Sequence, residues 1–395
     1  MKSIIALSAS LFAAFALTFP LIAQEVDASK IRVHPLVQVA STPGTPGTPT
    51  GILPVQYRAA YGFNRIANQG QGQTIAIVVA DDAVNIESDL AVYASYFHLG
   101  PCSFQKVKVG NPIRNDGSAL SASVGVEQVC ALAPQASILL VEANSDSLSD
   151  YLQAAAVASS APYNATVVAV VFATEEFAGE QQFDSTFCGV VNGNNQPVAF
   201  LAPTAGCSGQ RFGVYPAASP CVLAVGGTAL VLSTFPPSYN TQVLNYGNES
   251  SWGGGGGFVS AFEPQPSWQN SACAQYSTTN RCTPDIVADS STLTPVPVYD
   301  TAGYGGWIEV GGNSISAADV GAFLTIVNSV RASEGHDPLS QAAADLYDIY
   351  SSGNYSANFH DIASGSCTGA GYDLGTGIGS YKANTLYSTL AAKPN

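Results

Sequence analysis

The sequence has little charge. Charged residues make up 10% of its 395 positions, against about 25% in an ordinary soluble protein. Lys and Arg number 13 against 28 Asp and Glu, for a formal net charge of -15. An acidic, Lys-poor surface is repelled by phosphate backbones and anionic bilayers, which excludes nucleic acid and membrane surfaces as partners. Few ion pairs stand to be lost when carboxylates protonate, which suits an acidic medium. Histidine is scarce too. His34, His98, His336 and His360 are scattered, and no Cys/His grouping has zinc spacing. Beyond Ile22 no apolar run is long enough to span a bilayer, so stable membrane insertion is not expected of the processed chain.

The N-terminus reads as an export signal over residues 1–23. Lys2 supplies a positive start, an apolar stretch runs from Ile4 to Ile22, and Ala23 is a small residue before a cut. An earlier cut after Ala16 and an uncleaved anchor are the alternatives; Pro20 and the polar residues that follow favour cleavage. The expected location is extracellular or periplasmic. The 8 cysteines, an even number in an exported chain, imply disulfides. Cys273 and Cys282 flank a short polar stretch and form one candidate pair. Cys207 and Cys221 form a second, although spacing does not fix connectivity. Residues 24–50 contain the repeat Thr42 to Pro49, which suits neither a helix nor a central strand and reads as an extended linker.

From Gly51 onward strands and helices alternate. Thr74 to Ala80, Ala136 to Val141, Ala165 to Phe172, Pro197 to Ala202 and Cys221 to Val231 are short apolar runs of the kind buried on both faces of a sheet. Helical patterns separate them near 86–97, 119–131 and 147–159, and two more follow at 315–332 and 339–350. Such alternation predicts an α/β domain with a doubly wound, mostly parallel sheet, helices on both faces and right-handed crossovers. A single large domain is expected over 51–395.

Four ordered segments resemble the sedolisins, the serine-carboxyl peptidases with a subtilisin-like fold. They are Gly51 to Phe63 (GILPVQYRAAYGF); Ala133-Pro134 with Ile138 to Asp150 (ILLVEANSDSLSD); Tyr215 to Thr228 (YPAASPCVLAVGGT) with Ser251-Trp252, a glycine run and Pro264 to Gln269; and Gly311 to Ser314 (GGNS) with Phe359 to Ile362 (FHDI) and Gly369 to Ser380 (GAGYDLGTGIGS). The resemblance puts Ser314 at the nucleophile position, at the start of a helix whose amides favour developing negative charge. Asn313 and Ala318 depart from the family's Thr and Pro.

The family activates its serine with a Glu oriented by an Asp four residues later on one helix, a spacing that puts both on one face. Counting back from Ala133-Pro134, those positions are Ser121 and Gly125 here. Glu127 is the nearby carboxylate, read as a solvated surface residue, and Asp116 reads as a turn residue. The family's oxyanion-binding Asp matches Cys207, in the stretch Pro203 to Gly209, and a structural disulfide is the preferred reading of that thiol. The substrate-binding walls match Val171-Phe172-Ala173 and Gly253 to Gly257. The calcium motif is intact: the resemblance implies ligands from the Asp361 and Asp373 carboxylates and from the carbonyls of Ile362, Gly369 and Gly371, hard oxygen donors on a glycine-permitted turn. Cys367 inside that loop is a departure without a reading. The family's large prodomain has no counterpart before Gly51.

The expectation is therefore an exported, monomeric, calcium-holding sedolisin-like domain without catalysis, which binds peptides or a protein partner. The alternative is an acid serine endopeptidase that uses Ser314 with a relocated base.

Overall fold

The computed structural model describes residues 25–40, 48–207, 213–233 and 245–395. The segment read as an export signal, Ser208-Gly209 and most of the Thr/Pro/Gly repeat lie outside the described residues. A ten-stranded sheet forms the centre. In spatial order it runs Phe359–His360, Ser380–Tyr381, Ile286–Asp289, Val222–Leu232, Ala199–Pro203, Val167–Val170, Thr74–Ala80, Ser137–Ala143 and Ser103–Lys108, with Tyr246–Ser251 paired onto Val222–Leu232. From Ser380–Tyr381 across to Ser103–Lys108 every pairing is parallel. The two antiparallel pairings lie at the Phe359–His360 edge and at Tyr246–Ser251. The parallel run follows from sequence. Ile75 through Ala80 are buried on both faces, and only helical crossovers join such strands.

Helix Asp116–Leu132 begins at Asn115, whose side chain accepts the Gly117 and Ser118 N–H groups at 3.0 and 3.4 Å. Asp116 is thus the first helical residue and not a turn residue. This helix packs against the sheet and against Asn313–Ser333, a helix buried along most of its length. Small residues permit the approach. A side chain at Gly125 would meet Ile77 Cγ2 at 2.6 Å, and one at Gly321 would meet Ile75 Cδ1 at 2.9 Å. Helix Leu148–Ser159 also lies on the sheet, with the Tyr151 hydroxyl donating to the Val78 carbonyl at 2.8 Å.

Four disulfides join Cys102 to Cys130, Cys188 to Cys221, Cys207 to Cys367, and Cys273 to Cys282. The local pair Cys273–Cys282 is as expected. The pairing of Cys207 with Cys221 is corrected: Cys207 reaches across to Cys367, and Cys221 takes Cys188. Proximity in sequence favoured the wrong partner because the loops that carry Cys207 and Cys367 meet only after the sheet has wound. No helix among the described residues is long and apolar enough to cross a membrane.

The stretch read as a linker lies against the domain over 25–40. It forms a short 3-10 turn, Ala28–Lys30, and the strands His34–Pro35 and Gln38–Val39, with Val33 in the core.

Candidate functional site

Strand Gly306–Gly311 delivers the chain to Gly312, and helix Asn313–Ser333 starts one residue later. Gly312 has φ +118°, and a side chain there would lie 2.2 Å from the Leu36 carbonyl oxygen, so this junction requires glycine. Asn313 fixes the turn. Its Oδ1 accepts the Ser290 hydroxyl at 2.8 Å, and its Nδ2 donates to the carbonyls of Gly254, at 2.9 Å, and Thr204. The Asn that departs from the family motif therefore ties the glycine wall to the strand end before Cys207.

Ser314 is fully buried. Its hydroxyl donates to the Val171 carbonyl at 2.7 Å and accepts the Leu36 N–H at 3.2 Å, and its own N–H donates to the Leu36 carbonyl at 3.2 Å. Among the described residues no Glu, Asp or His side chain hydrogen-bonds this hydroxyl. Ser121 is buried and turned to the Gly117 carbonyl of its own helix. Gly125 faces Ile77, as above. Cys207, with φ +78°, packs beside Gly256, and its sulfur is committed to Cys367. Val171, Phe172 and Ala173 line the other side, with the Phe172 N–H donating to Tyr151 Oη at 2.9 Å.

Two carboxylates lie on the flank of helix Asp116–Leu132. Asp81 accepts Asn115 Nδ2 at 2.9 Å and the Ser118 hydroxyl at 3.3 Å, and burial raises its pKa. Glu127 corrects the surface reading. It is fully buried, with Oε2 accepting the Tyr299 N–H at 3.0 Å, and burial pushes its carboxyl well above the usual range. The hairpin Val296–Asp300 and Gly306–Gly311 covers it, a contact that helical spacing alone does not reveal.

At the opposite end of the sheet, Asp361 and Asp373 converge on one turn. Asp361 accepts the Gly371 N–H at 3.0 and 3.2 Å, and Asp373 Oδ2 accepts the Gly369 N–H at 2.8 Å. Gly371 has φ +76°, and a side chain at Gly369 would meet nothing within 4 Å. The Ile362 carbonyl carries one contact, from Thr376 Oγ1 at 3.3 Å. Among the described residues no three His, Cys, Asp or Glu side chains converge as a metal-binding group, and no Lys or Arg pairs with either aspartate. A cation here would rest on two carboxylates and backbone carbonyls. That donor set, hard and oxygen-only beside open space, fits calcium.

Sequence reasoning missed the segment over Ser314. Its signal was the apolar run Val33, Leu36, Val37 and Val39, the one strand-like stretch between the signal and the repeat. It also missed a buried acidic group, Glu176, Glu180 and Glu263, with the half-buried Asp184 beside it. Burial pushes Glu180 up to about 9 and Glu263 up to about 8. The Ser260 hydroxyl donates to Glu176, and the Tyr215 hydroxyl donates to Asp184 at 3.2 Å.

Strand order, the serine at a strand-to-helix junction and the glycine walls define a subtilisin-like α/β protein. A solved Pseudomonas sedolisin matches over 88% of this chain and 100% of its own, with TM-score 0.72 and 22% identity. A subtilase cytotoxin structure matches with TM-score 0.52 and 13% identity. Within that class the chain is similar to the sedolisins. It is 34% identical over 171 residues to sedolisin of Pseudomonas sp. (strain 101), covering 41% of this chain and 27% of that one. It is 29% identical over 367 residues to kumamolisin of Bacillus sp. (strain MN-32), covering 84% and 62%. Tripeptidyl-peptidase 1 of Bos taurus is 26% identical over 412 residues, covering 92% and 68%. The chain thus spans less than two thirds of the sedolisin and kumamolisin sequences. No family model matches it.

Proposed function

We propose that this chain is an exported, calcium-holding sedolisin-like domain that binds extended peptide segments and does not cut them. The observation that carries the reading is the surroundings of Ser314. A serine hydroxyl becomes a nucleophile when a base within about 3 Å takes its proton. Here its neighbours are a backbone carbonyl and a backbone N–H, neither of which can do so. Ser121 and Gly125 stand at the family's carboxylate positions, and Cys207, at its oxyanion position, is held in a disulfide. In a serine peptidase, loss of the nucleophile or its base costs about 10⁶ in rate, enough to silence the reaction on its own. The edges at Phe172–Ala173 and Val310–Gly311 pair with extended backbone, which is the grip a peptide would need.

Calcium, held by Asp361, Asp373 and the carbonyls of Ile362, Gly369 and Gly371, would tie two loops together and supply no chemistry at Ser314. Export is supported by the N-terminal sequence and by four disulfides, which form in oxidising compartments. The test is hydrolysis of denatured protein from about pH 3 to 7, the range over which carboxylate bases titrate. Wild type and Ser314→Ala should give the same background. Wild-type cleavage that disappears in Ser314→Ala would refute the reading and establish a relocated base.

A further inference from the structure

The groove over Ser314 already holds a peptide, and that peptide belongs to this chain. His34 and Pro35 pair antiparallel with Ala173 and Phe172 on one wall. Gln38 and Val39 pair antiparallel with Gly311 and Val310 on the other side. Between the two short pairings Leu36 brackets Ser314, its N–H on the hydroxyl and its carbonyl on the backbone N–H. The ends are fixed too: the Val33 N–H donates to the Asp146 carbonyl at 2.9 Å, and the Ala40 N–H to the Glu309 carbonyl at 2.8 Å.

The register sets one peptide bond beside the serine. In acyl transfer the carbonyl under attack must lie beside the serine hydroxyl with its oxygen on a preorganised N–H. The Leu36 carbonyl oxygen rests on the Ser314 N–H at 3.2 Å, so the bond set at the serine is Leu36–Val37. Gly312 leaves room for that carbonyl and for nothing larger. Backbone pairing supplies most of the grip, which is recognition by strand addition, and the side chains presented are aliphatic: Val33, Leu36, Val37 and Val39.

We propose that residues 33–39 are the groove's resident ligand, held with the Leu36–Val37 bond beside Ser314, and that its external ligands are extended aliphatic peptides which displace it. The proposal rests on the non-catalytic reading, because a competent serine would sever Leu36–Val37. Signal cleavage after Ala23 leaves the resident segment in place. Covalent attachment to the domain supplies an effective concentration on the order of millimolar. An external peptide of equal intrinsic affinity therefore binds the intact chain weakly.

The test uses the full processed chain with a site-specific protease sequence placed in the Thr42 to Thr48 repeat, and as probe a fluorescent peptide of residues 31–40. Anisotropy should show at least ten-fold tighter probe binding after the tether is cut, and mass spectrometry should show the released N-terminal fragment chased off by excess probe. A scrambled peptide should do neither. Leu36→Pro, which removes the N–H that meets Ser314, should raise probe binding in the uncut chain and provides a second arm. Equal probe binding before and after cutting, no binding to either form, or a fragment that probe cannot displace would each overturn the proposal. Scission of the probe between its Leu and Val would overturn the non-catalytic reading instead, and it is read separately by mass.

Discussion

The surroundings of Ser314 and those of the Asp361–Asp373 turn differ in kind. Around Ser314 stand a helix start, a glycine at φ +118° and two strand-like walls, and among the described residues the hydroxyl meets only backbone groups. Around Asp361 and Asp373 both side chains and glycine turns remain, converging on one loop. The contrast separates two demands. On the proposed reading, a catalytic dyad would serve only the reaction and its absence would leave the fold intact, whereas a cation joining two loops would contribute to the folded state itself. One covalent link connects the regions, since the Cys207–Cys367 disulfide runs from the strand end beside Gly256 into the loop before Asp373.

That link is the strongest place to break the comparison. Replacing both members, Cys207→Ser with Cys367→Ser, should lower stability by about 2–5 kcal/mol, as loss of a native bridge does, measured by denaturant unfolding. If the two regions are coupled, the double variant should also become more sensitive to chelator than wild type.

Chelation comes next. A ligand bound only by the folded state at 100 times its dissociation constant contributes about 2.7 kcal/mol. Exhaustive chelation should therefore lower the melting temperature by several degrees, and Asp373→Ala should melt at the same temperature with or without calcium. A chelator-insensitive wild type would remove calcium from the account and leave the loop held by its own amide–carboxylate bonds.

Gly125 sharpens the other side. A helical Gly→Ala change ordinarily stabilises by about 1 kcal/mol. Here the new Cβ would sit 2.6 Å from Ile77 Cγ2, so Gly125→Ala should instead destabilise by about 1–3 kcal/mol, as overpacking does. A stabilised variant would show that the helix can move aside and that an aspartate could be restored there. Otherwise restoring the family's dyad through Ser121→Glu and Gly125→Asp needs Ile77 shortened as well.

The smallest effect is one of pH. Glu180 and Glu263 hold their protons up to about 9 and about 8 in the folded protein, chiefly because of burial, with Glu176 and Asp184 beside them. An unfolded glutamate releases its proton near pH 4.3. Between those limits the native state binds more protons than the unfolded chain, so stability falls as pH rises from about 4 to about 8. Melting temperature should decline across that window and decline less in the Glu180→Gln, Glu263→Gln variant. A flat profile in wild type would show that the group is neutralised by other means.

Much of the fold was legible because buried parallel strands announce themselves. Thr74–Ala80 and Val222–Leu232 are continuous apolar runs, and little else in a soluble chain looks like them. Ser314 at a helix start was legible for a similar reason, since glycine-glycine-polar-serine before an apolar helix is local chemistry. What could not be read was contact between distant segments. Glu127 looked exposed because its cover, the hairpin at 296–311, is far away in sequence. Cys207 looked like a partner of Cys221 because residue 367 lies 160 positions away. The segment at 33–39 looked like tether because its partners are at 172–173 and 310–314, and a short strand paired at both edges carries no periodicity long enough to recognise.

The long disulfide also has a mechanical consequence. It closes a covalent ring with a sequence separation of 160, which holds strands Val222–Leu232 and Ile286–Asp289 together with the helix that begins at Asn313. A chain pulled from its two ends lengthens by about 3.3–3.6 Å per residue released. With the bridge intact that ring releases nothing to the pulling axis, and about 550 Å of contour stays hidden. Force spectroscopy should show the missing length reappear in one reducible step, so the same protein would be a short tether in an oxidising medium and a long one in a reducing one.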